Sequence, residues 1–211
     1  MYIYIMPHFL EFSILFIHIP KTGGSSINKY YFNLIGITDL YSITSADPYL
    51  FGNSPVLTHS LQHSTFQEII SLIDINKIQT IFTIVRNPFD RLVSAFLFNA
   101  KPDISLKLSQ LKKCFSDFLK LFLNRKNFYD NHNLCQYEFL ISNDDLIDKR
   151  IKIYRFENLN TDFPNLPHVY QSNSVYKYHQ YYDNETIEIT VNYYKKDFEF
   201  FNYPIILSSQ P

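Results

Sequence analysis

Residues 12–26 read FSILFIHIPKTGGSS, and this stretch decides the fold class. Residues 12–19 form a short apolar run bounded by a proline and two glycines, which is typical of a β-strand buried on both faces. Ser25 or Ser26 can then start a helix that ends at Gly36. A strand that runs through a glycine turn into a helix predicts the first unit of an α/β sheet.

The loop between this strand and helix predicts a binding site for a phosphate or sulfate group. It offers one cation, three hydroxyls and two glycines: Lys21, Thr22, Ser25, Ser26, Gly23 and Gly24. Glycine lets the backbone approach a ligand closely, and the helix that follows points N–H groups and its positive dipole end into the loop. A glycine turn capped by serine, without a ligand, is the alternative interpretation. A Walker A loop places lysine after its last glycine, whereas Lys21 precedes both, which argues against an ATP or GTP hydrolase.

A second apolar run, residues 78–85, predicts another buried strand that ends at Arg86. Arginine binds phosphate oxygens through parallel hydrogen bonds, and ligands of open α/β sheets gather where parallel strands end. Ser94 lies early in the helix predicted over residues 89–98, close enough to share a ligand with Arg86. For Arg91 we favour a structural role, such as an ion pair with a neighbouring carboxylate.

The remaining pattern predicts further helices and a hairpin. Ser64 with Gln67, or Thr65 with Glu68, offers a capping box for a helix over about residues 65–73, and residues 105–124 are amphipathic. Residues 137–141 and 146–153 suggest the two arms of a β-hairpin, and one continuous helix is expected after Asp183. Strands that alternate with helices predict an α/β sandwich with a parallel sheet.

Composition and charge narrow the function classes. The 211 residues suggest a single domain, residues 1–211, and 46% of them are hydrophobic. The formal net charge is −1 and the 19 Lys and Arg residues are spread along the chain, which argues against a nucleic-acid partner. Cys114 and Cys135 lack metal-ligand spacing and are too few for a disulfide framework, so we expect reduced thiols and no zinc site.

The apolar N-terminus, residues 1–19, imitates a signal peptide, but three features oppose that interpretation. No positive charge precedes the run, no small-residue cleavage site follows it, and Glu11 interrupts it. No other stretch approaches the ~20 apolar residues that a bilayer-spanning helix needs. We therefore expect a soluble cytoplasmic protein with no transmembrane segment; peripheral attachment at the inner membrane face is the alternative.

The two loops, in this order and spacing, resemble the 5′-phosphosulfate loop and the 3′-phosphate loop of sulfotransferases that use 3′-phosphoadenosine 5′-phosphosulfate. The closer resemblance is to the carbohydrate branch, which includes heparan-sulfate 2-O-sulfotransferases and small bacterial relatives. Family loops read roughly Pro-Lys-Thr-(Ala/Gly)-Gly-Thr-Ser and Val-Arg-(Asn/Asp)-Pro-x-(Asp/Glu)-Arg-Leu-Val-Ser. The chain departs from them at Ser25, which keeps the hydroxyl. Weaker matches at residues 62–65, 154–159 and 181–203 extend the similarity over about residues 14–203.

This resemblance implies a P-loop-like three-layer sandwich and a role for each loop. Lys21 would contact the bridging oxygen and support the leaving phosphate, while the backbone of residues 22–26 would hold the 5′-phosphosulfate. Arg86 and Ser94 would hold the 3′-phosphate, which selects this donor over ATP. The expected product is 3′-phosphoadenosine 5′-phosphate, and no metal is required.

The acceptor side of the site is also implied by the resemblance. The acceptor hydroxyl needs a base, and His63 is the first choice because imidazole titrates near pH ~6.5 and a catalytic histidine is expected here; His59 is the second. A histidine that caps the following helix is the structural alternative. Residues 99–136 match the family poorly and are expected to face the acceptor, a carbohydrate (surface polysaccharide or glycolipid) or a small hydroxyl compound. Lys177 or Ser174 is a further candidate for contact with the nucleotide.

Two other functions stay open at this point. A P-loop-like kinase that uses ATP would need a Walker A lysine and an acidic Mg²⁺ ligand at a strand end, and the sequence shows neither. A non-catalytic nucleotide- or glycan-binding module would tolerate the loss of Lys21 and His63. Arg155 and Gln136 could meet the acceptor or brace the sheet, and His18 is interpreted as a packed core residue. The oligomeric state is left open.

Overall fold

The computed structural model describes residues 8–9, 12–34, 36, 61–124, 130–142, 144, 146–167 and 176–205. Its sheet has four strands in the order β1-β2-β3-β4: His8–Phe9, Ile14–Ile17, Thr80–Val85 and Ile151–Arg155. β2, β3 and β4 run parallel, and the two-residue β1 pairs antiparallel with β2. The carboxyl ends of the three parallel strands therefore meet at one edge of the sheet.

Seven α-helices occur in the described part of the chain. They are α1 (Gly24–Leu34), α2 (Phe66–Leu72), α3 (Pro88–Asn99), α4 (Leu108–Leu123), α5 (Leu159–Asp162), α6 (Asn184–Tyr193) and α7 (Lys195–Phe201). Shorter 3₁₀ turns cover Leu61–His63, Ile75–Lys77, Tyr137–Phe139, Phe156–Asn158 and Tyr178–Tyr181.

The strands β2 and β3 bury both faces, as their continuous apolar runs predict. Leu15 and Ile17 of β2 pack into a core formed with α2, α3, α4, α6 and α7. Phe16, which lies between them, packs on the opposite face with Ile27 of α1 and Leu159 of α5. This alternation follows from the two-residue period of a strand. The sheet lies between two helical layers, so the predicted α/β three-layer fold with a mainly parallel sheet is confirmed.

The predicted hairpin is wrong. Its first arm forms the 3₁₀ turn Tyr137–Phe139, one isolated bridge joins the two arms, and the second arm, Ile151–Arg155, is a parallel neighbour of β3. The adjacent side chains Phe139 and Leu140 are both buried, which suits a tight turn and not a strand with one exposed face. The apolar content of the first arm therefore misled the sequence interpretation.

The predicted continuous C-terminal helix is two helices, because the chain bends at Tyr194 (φ −99°, ψ 27°). Beyond the bend, the buried Asp197 carboxylate accepts the backbone N–H groups of Gln136 (2.9 Å) and Tyr137 (2.8 Å). The Tyr194 hydroxyl donates to the Asn133 carbonyl (3.0 Å). The apolar spacing predicts the core-facing residues, but it carries no sign of these polar anchors.

Replacement of Asp197 by Asn is expected to lower the free energy of unfolding by about 1–3 kcal/mol. Whichever way the amide is turned, its NH₂ group faces at least one backbone N–H donor that the carboxylate now satisfies. Urea denaturation followed by circular dichroism measures the change. Asp117→Asn, at an exposed position of α4, is the matched control and should leave the stability unchanged. Equal stability of the two variants would contradict the anchoring role.

Candidate active site

The loop after β2 is shaped by two left-handed residues. Lys21 has φ +67° and Gly23 has φ +94°, and the Ser26 N–H donates to the Gly23 carbonyl (3.0 Å) at the start of α1. Thr22 is fully buried, and its hydroxyl donates to the Ile19 carbonyl (2.8 Å). The Thr22 hydroxyl therefore holds the loop closed, while the first turn of α1 presents N–H groups that have no partner within the helix.

Gly24 is required by a close approach and not by its backbone angle. A Cβ atom at this position would lie 1.9 Å from Nε2 of His18. The His18 ring is buried and stacks on Phe16, with ring centroids 5.4 Å apart. Burial lowers the pKa of His18 well below its ordinary value, so the ring is neutral. His18 is thus the packed core residue that the sequence predicts, and its ring packs directly against Gly24 of the loop.

The Lys21 ammonium group lies against an aromatic ring. Its Nζ is 3.8 Å from the ring centroid of Phe98, a side chain near the end of α3 that is 55% exposed. Burial, and secondly the positive charge of Arg86, lower the pKa of Lys21 to about 8. The ammonium form still dominates at neutral pH, but it loses its proton at a lower pH than an exposed lysine does.

Arg86, at the end of β3, joins the two loops. Its Nε donates to Oδ2 of Asp90 (2.8 Å), and its Nη1 donates to the carbonyl of Lys21 (3.1 Å). The guanidinium carbon lies 4.0 Å from the ring centroid of Phe156. The side chain is 11% exposed, so this arrangement fixes the orientation of the guanidinium before any ligand arrives.

A cavity of about 290 Å³ opens beside Arg86. Its lining residues are Arg86, Asp90, Val93, Ser94, Leu97, Tyr176, Lys177, Tyr178 and His179. Arg86 and Ser94, which are predicted to hold the 3′-phosphate, thus reach the same space as Lys177, which is a candidate for contact with the nucleotide. Ser174, the alternative to Lys177, lies outside the described residues.

His63 is buried at the entrance to α2, and its hydrogen bonding fixes its tautomer. Nδ1 lies 3.2 Å from the His18 carbonyl, which can only accept, so Nδ1 carries the proton and Nε2 has the lone pair in the neutral ring. The capping role belongs to Thr65, which forms a reciprocal box with Glu68. The interpretation of His63 as the helix cap is therefore wrong. His59 lies outside the described residues.

The model of the Sulfotransferase family matches residues 10–204, which is most of the chain. The chain belongs to the sulfotransferase family. Neither a curated protein nor a solved structure gives a significant match to it. Among the described helices of the sulfotransferase, none has the length and apolar character that crossing a membrane requires.

Three buried or half-buried groups of the sulfotransferase could hold a metal ion by proximity. His63, Asp130 and His132 each place one ligand atom within 4.8 Å of the others. The surroundings of His132 oppose this function, because Nδ2 of Asn99 lies 3.4 Å from its Nδ1 and also donates to the Ala95 carbonyl (2.9 Å). An amide donor at Nδ1 leaves the proton of the neutral ring on Nε2, so neither nitrogen offers a lone pair to a metal. The absence of a metal stays a prediction.

Arg91 is a brace, as the sequence analysis favours, although its partners are carbonyl groups and not a carboxylate. Its buried guanidinium donates to the carbonyls of Pro20 (3.0 Å), Leu134 (2.9 Å) and His132 (3.1 Å). These bonds tie the loop after β2 to residues 132–134. Such a position cannot be told from a ligand-binding arginine by sequence alone.

Gln136 and Arg155 also act as braces in the described structure. Gln136 is fully buried, and its side-chain amide bonds both the N–H (2.8 Å) and the carbonyl (2.8 Å) of Arg86. Arg155 donates to the Phe201 carbonyl and lies over the Tyr203 ring, 4.6 Å from its centroid. Between the two alternatives of the sequence analysis, these contacts favour bracing over acceptor contact.

The sequence analysis missed Asp130 and His132. Both lie within residues 99–136, where the resemblance to the family is weakest. One signal was available: the polar, Asn-rich composition of this stretch favours left-handed backbone positions, and Asp130 (φ +57°) and Asn131 (φ +61°) adopt them. Nothing in the spacing shows that this turn returns to His63.

Replacement of Gly24 by Ala is expected to destabilise the sulfotransferase by about 1–3 kcal/mol, because the new methyl group overlaps the His18 ring. In a His18→Ala background the same change should cost less. Urea denaturation of the four proteins of this double-mutant cycle measures the coupling.

Gly36→Ala is the matched control for this cycle. Gly36 has φ +79° and no neighbour within 4 Å, so its replacement strains the backbone without steric overlap. Its cost should be the same with or without His18→Ala. Equal costs of Gly24→Ala in both backgrounds would rule out the contact with His18 as the reason for this glycine.

Proposed function

We propose that this sulfotransferase moves a sulfuryl group from 3′-phosphoadenosine 5′-phosphosulfate to a hydroxyl of a carbohydrate, a surface polysaccharide or glycolipid, with His63 as the base. Family membership establishes sulfuryl transfer in general. The observation that carries the choice of donor is the cavity in which Arg86, Ser94 and Lys177 meet. It adjoins the loop of Lys21, because Arg86 hydrogen-bonds the Lys21 carbonyl (3.1 Å).

The residues present fit such a donor at both of its anionic ends. Two cations, Arg86 and Lys177, line the cavity together with the Ser94 hydroxyl, which suits a 3′-phosphate. The Asp90 carboxylate also lines the cavity, and it accepts a hydrogen bond from Nε of Arg86 (2.8 Å). The loop of residues 21–26 offers Lys21 and the N-terminus of α1, which suits the 5′-phosphosulfate.

Lys21 would supply the charge that the departing phosphate needs. Sulfuryl transfer resembles phosphoryl transfer, in which positioning and electrostatic stabilisation supply most of the catalysis. The partly buried ammonium group acts in an environment of lower dielectric than water, where its charge is felt more strongly. When bound, the donor supplies the activated sulfuryl group; the chain supplies the cations that favour its transfer.

His63 would receive the proton of the acceptor hydroxyl on Nε2. The His18 carbonyl holds the opposite nitrogen, so the ring presents its lone pair in one direction only. We expect residues 99–136 to face the acceptor and residues 1–211 to act as one cytoplasmic domain. The position of residues 130–132 beside His63 supports the first of these expectations.

Calorimetric titration with 3′-phosphoadenosine 5′-phosphate, ADP and ATP tests the choice of donor. The 3′-phosphorylated nucleotide should bind most tightly, and Arg86→Ala should abolish that preference. Lys177→Ala should weaken its binding about tenfold, since one charge-assisted hydrogen bond is lost. Lys113→Ala, at an exposed position of α4, is the matched control and should bind like the wild type. Binding of ATP that equals or exceeds that of the 3′-phosphorylated nucleotide would reject this donor and favour the kinase.

The pH dependence of kcat/KM for the donor tests the role of Lys21. Because the pKa of Lys21 is lowered to about 8 and the cation is the active form, the rate should fall as the pH rises above about 8. Lys21→Arg keeps a cation at all these pH values, so it should remove this basic limb whatever activity remains. The initial rate of 3′-phosphoadenosine 5′-phosphate release gives the profile. A basic limb at the same pH in Lys21→Arg would assign it to another group.

A further inference from the structure

We propose that Asp130 is a positioning residue for the transfer: its carboxylate orients His63 and stabilises the imidazolium that forms when Nε2 takes the acceptor proton. This inference rests on the proposed role of His63 as the base. In the step, the acceptor oxygen forms a bond to sulfur while the bond between sulfur and the phosphate oxygen breaks. The hydroxyl proton moves to Nε2, and the bonding electron pair leaves with the phosphate.

The geometry places Asp130 at the reactive nitrogen. Its Oδ2 lies 3.6 Å from Nε2 of His63, the nitrogen that carries the lone pair in the neutral ring. The side chain of His63 is 6% exposed, whereas that of Asp130 is 35% exposed. Asp130 is thus the more exposed partner of a close pair whose imidazole is almost fully enclosed.

The backbone holds Asp130 in this place at a cost. Asp130 (φ +57°) and Asn131 (φ +61°) are two successive non-glycine residues in the left-handed region, which is unfavourable for residues that carry a Cβ atom. Three hydrogen bonds fix the turn: Asn131 Nδ2 to the His63 carbonyl (3.0 Å), Arg91 to the His132 carbonyl (3.1 Å) and Asn133 Nδ2 to the Phe122 carbonyl (2.9 Å). The first of these attaches the turn to His63 itself.

The described groups around His63 include two further imidazoles. The ring centroid of His18, after β2, is 4.7 Å from that of His63, and the ring centroid of His132, from the turn at 130–132, is 5.3 Å away. Burial lowers the pKa of His18 and of His132 well below the ordinary value, so both are neutral. On α2, the Glu68 carboxylate is engaged by Thr65. The positive charge of Lys21 contributes to the lowered pKa of both neighbouring histidines, and the Asp130 carboxylate is the opposite charge beside His63.

Nuclear magnetic resonance titration of the His63 ring nitrogens tests this proposal without an acceptor or a donor. Asp130→Asn removes the charge and keeps a residue that tolerates the left-handed backbone. Its titration midpoint should lie about one pH unit below that of the wild type, because an opposite charge within 4–6 Å favours the charged form. Asp117→Asn, at an exposed position of α4, is the control and should not move the midpoint.

Asp130→Gly separates the charge from the backbone. Glycine relieves the left-handed strain, so a purely structural role of Asp130 predicts an unchanged His63 titration in this variant, whereas our proposal predicts the same downward shift as in Asp130→Asn. An unchanged midpoint in both folded variants overturns the proposal. Stoichiometric Zn²⁺ binding to the wild type that Asp130→Asn abolishes would also overturn it, in favour of a metal site. Full transfer activity of His63→Gln would instead refute His63 as the base. The ion pair between His63 and Asp130 would still be measurable by titration of the wild-type protein.

Discussion

The buried guanidinium of Arg91 holds together the two chain segments from which the site is built. One segment is the loop after β2, reached through the Pro20 carbonyl, and the other is the turn at residues 130–134, reached through two further carbonyls. Neither segment has regular secondary structure of its own to fix it. Two further hydrogen bonds support this bridge, because Asn131 donates to the His63 carbonyl and His63 bonds the His18 carbonyl ahead of the loop.

Burial without neutralisation is the electrostatic theme of the site. Arg86 has an acidic partner in Asp90, whereas the guanidinium of Arg91 donates to three carbonyls and interacts electrostatically with the buried Asp197 carboxylate. Lys21, Arg86 and Arg91 together concentrate positive charge around the loop. Burial is the main reason why the pKa values of His18 and His132 are lowered and both rings stay neutral. Such a region attracts an anion more strongly than the formal net charge of −1 of the whole chain suggests.

Sequence reasoning locates the parts of this fold whose pattern is local. Composition and spacing within a few residues predict the strand at residues 14–17, the glycine loop and the capping box at Thr65. The predictions of a hairpin and of one continuous last helix are wrong because groups that are distant in sequence determine these segments. The main one is the Asp197 carboxylate, which accepts the N–H groups of Gln136 and Tyr137. Asp130 is missed for the same reason: its importance lies in a neighbour 67 positions away in the chain.

The hydrogen bond from Arg86 to the Lys21 carbonyl couples the cavity to the loop after β2. One guanidinium lines the cavity and also touches the loop that would face the transferred group, so the two ends of a donor cannot be sensed independently. A phosphate bound in the cavity would contact a guanidinium that already holds the loop through the Lys21 carbonyl. The binding free energy of a remote phosphate can in this way help to align the reacting groups. A donor that lacks this phosphate would therefore show a lower kcat as well as a lower affinity.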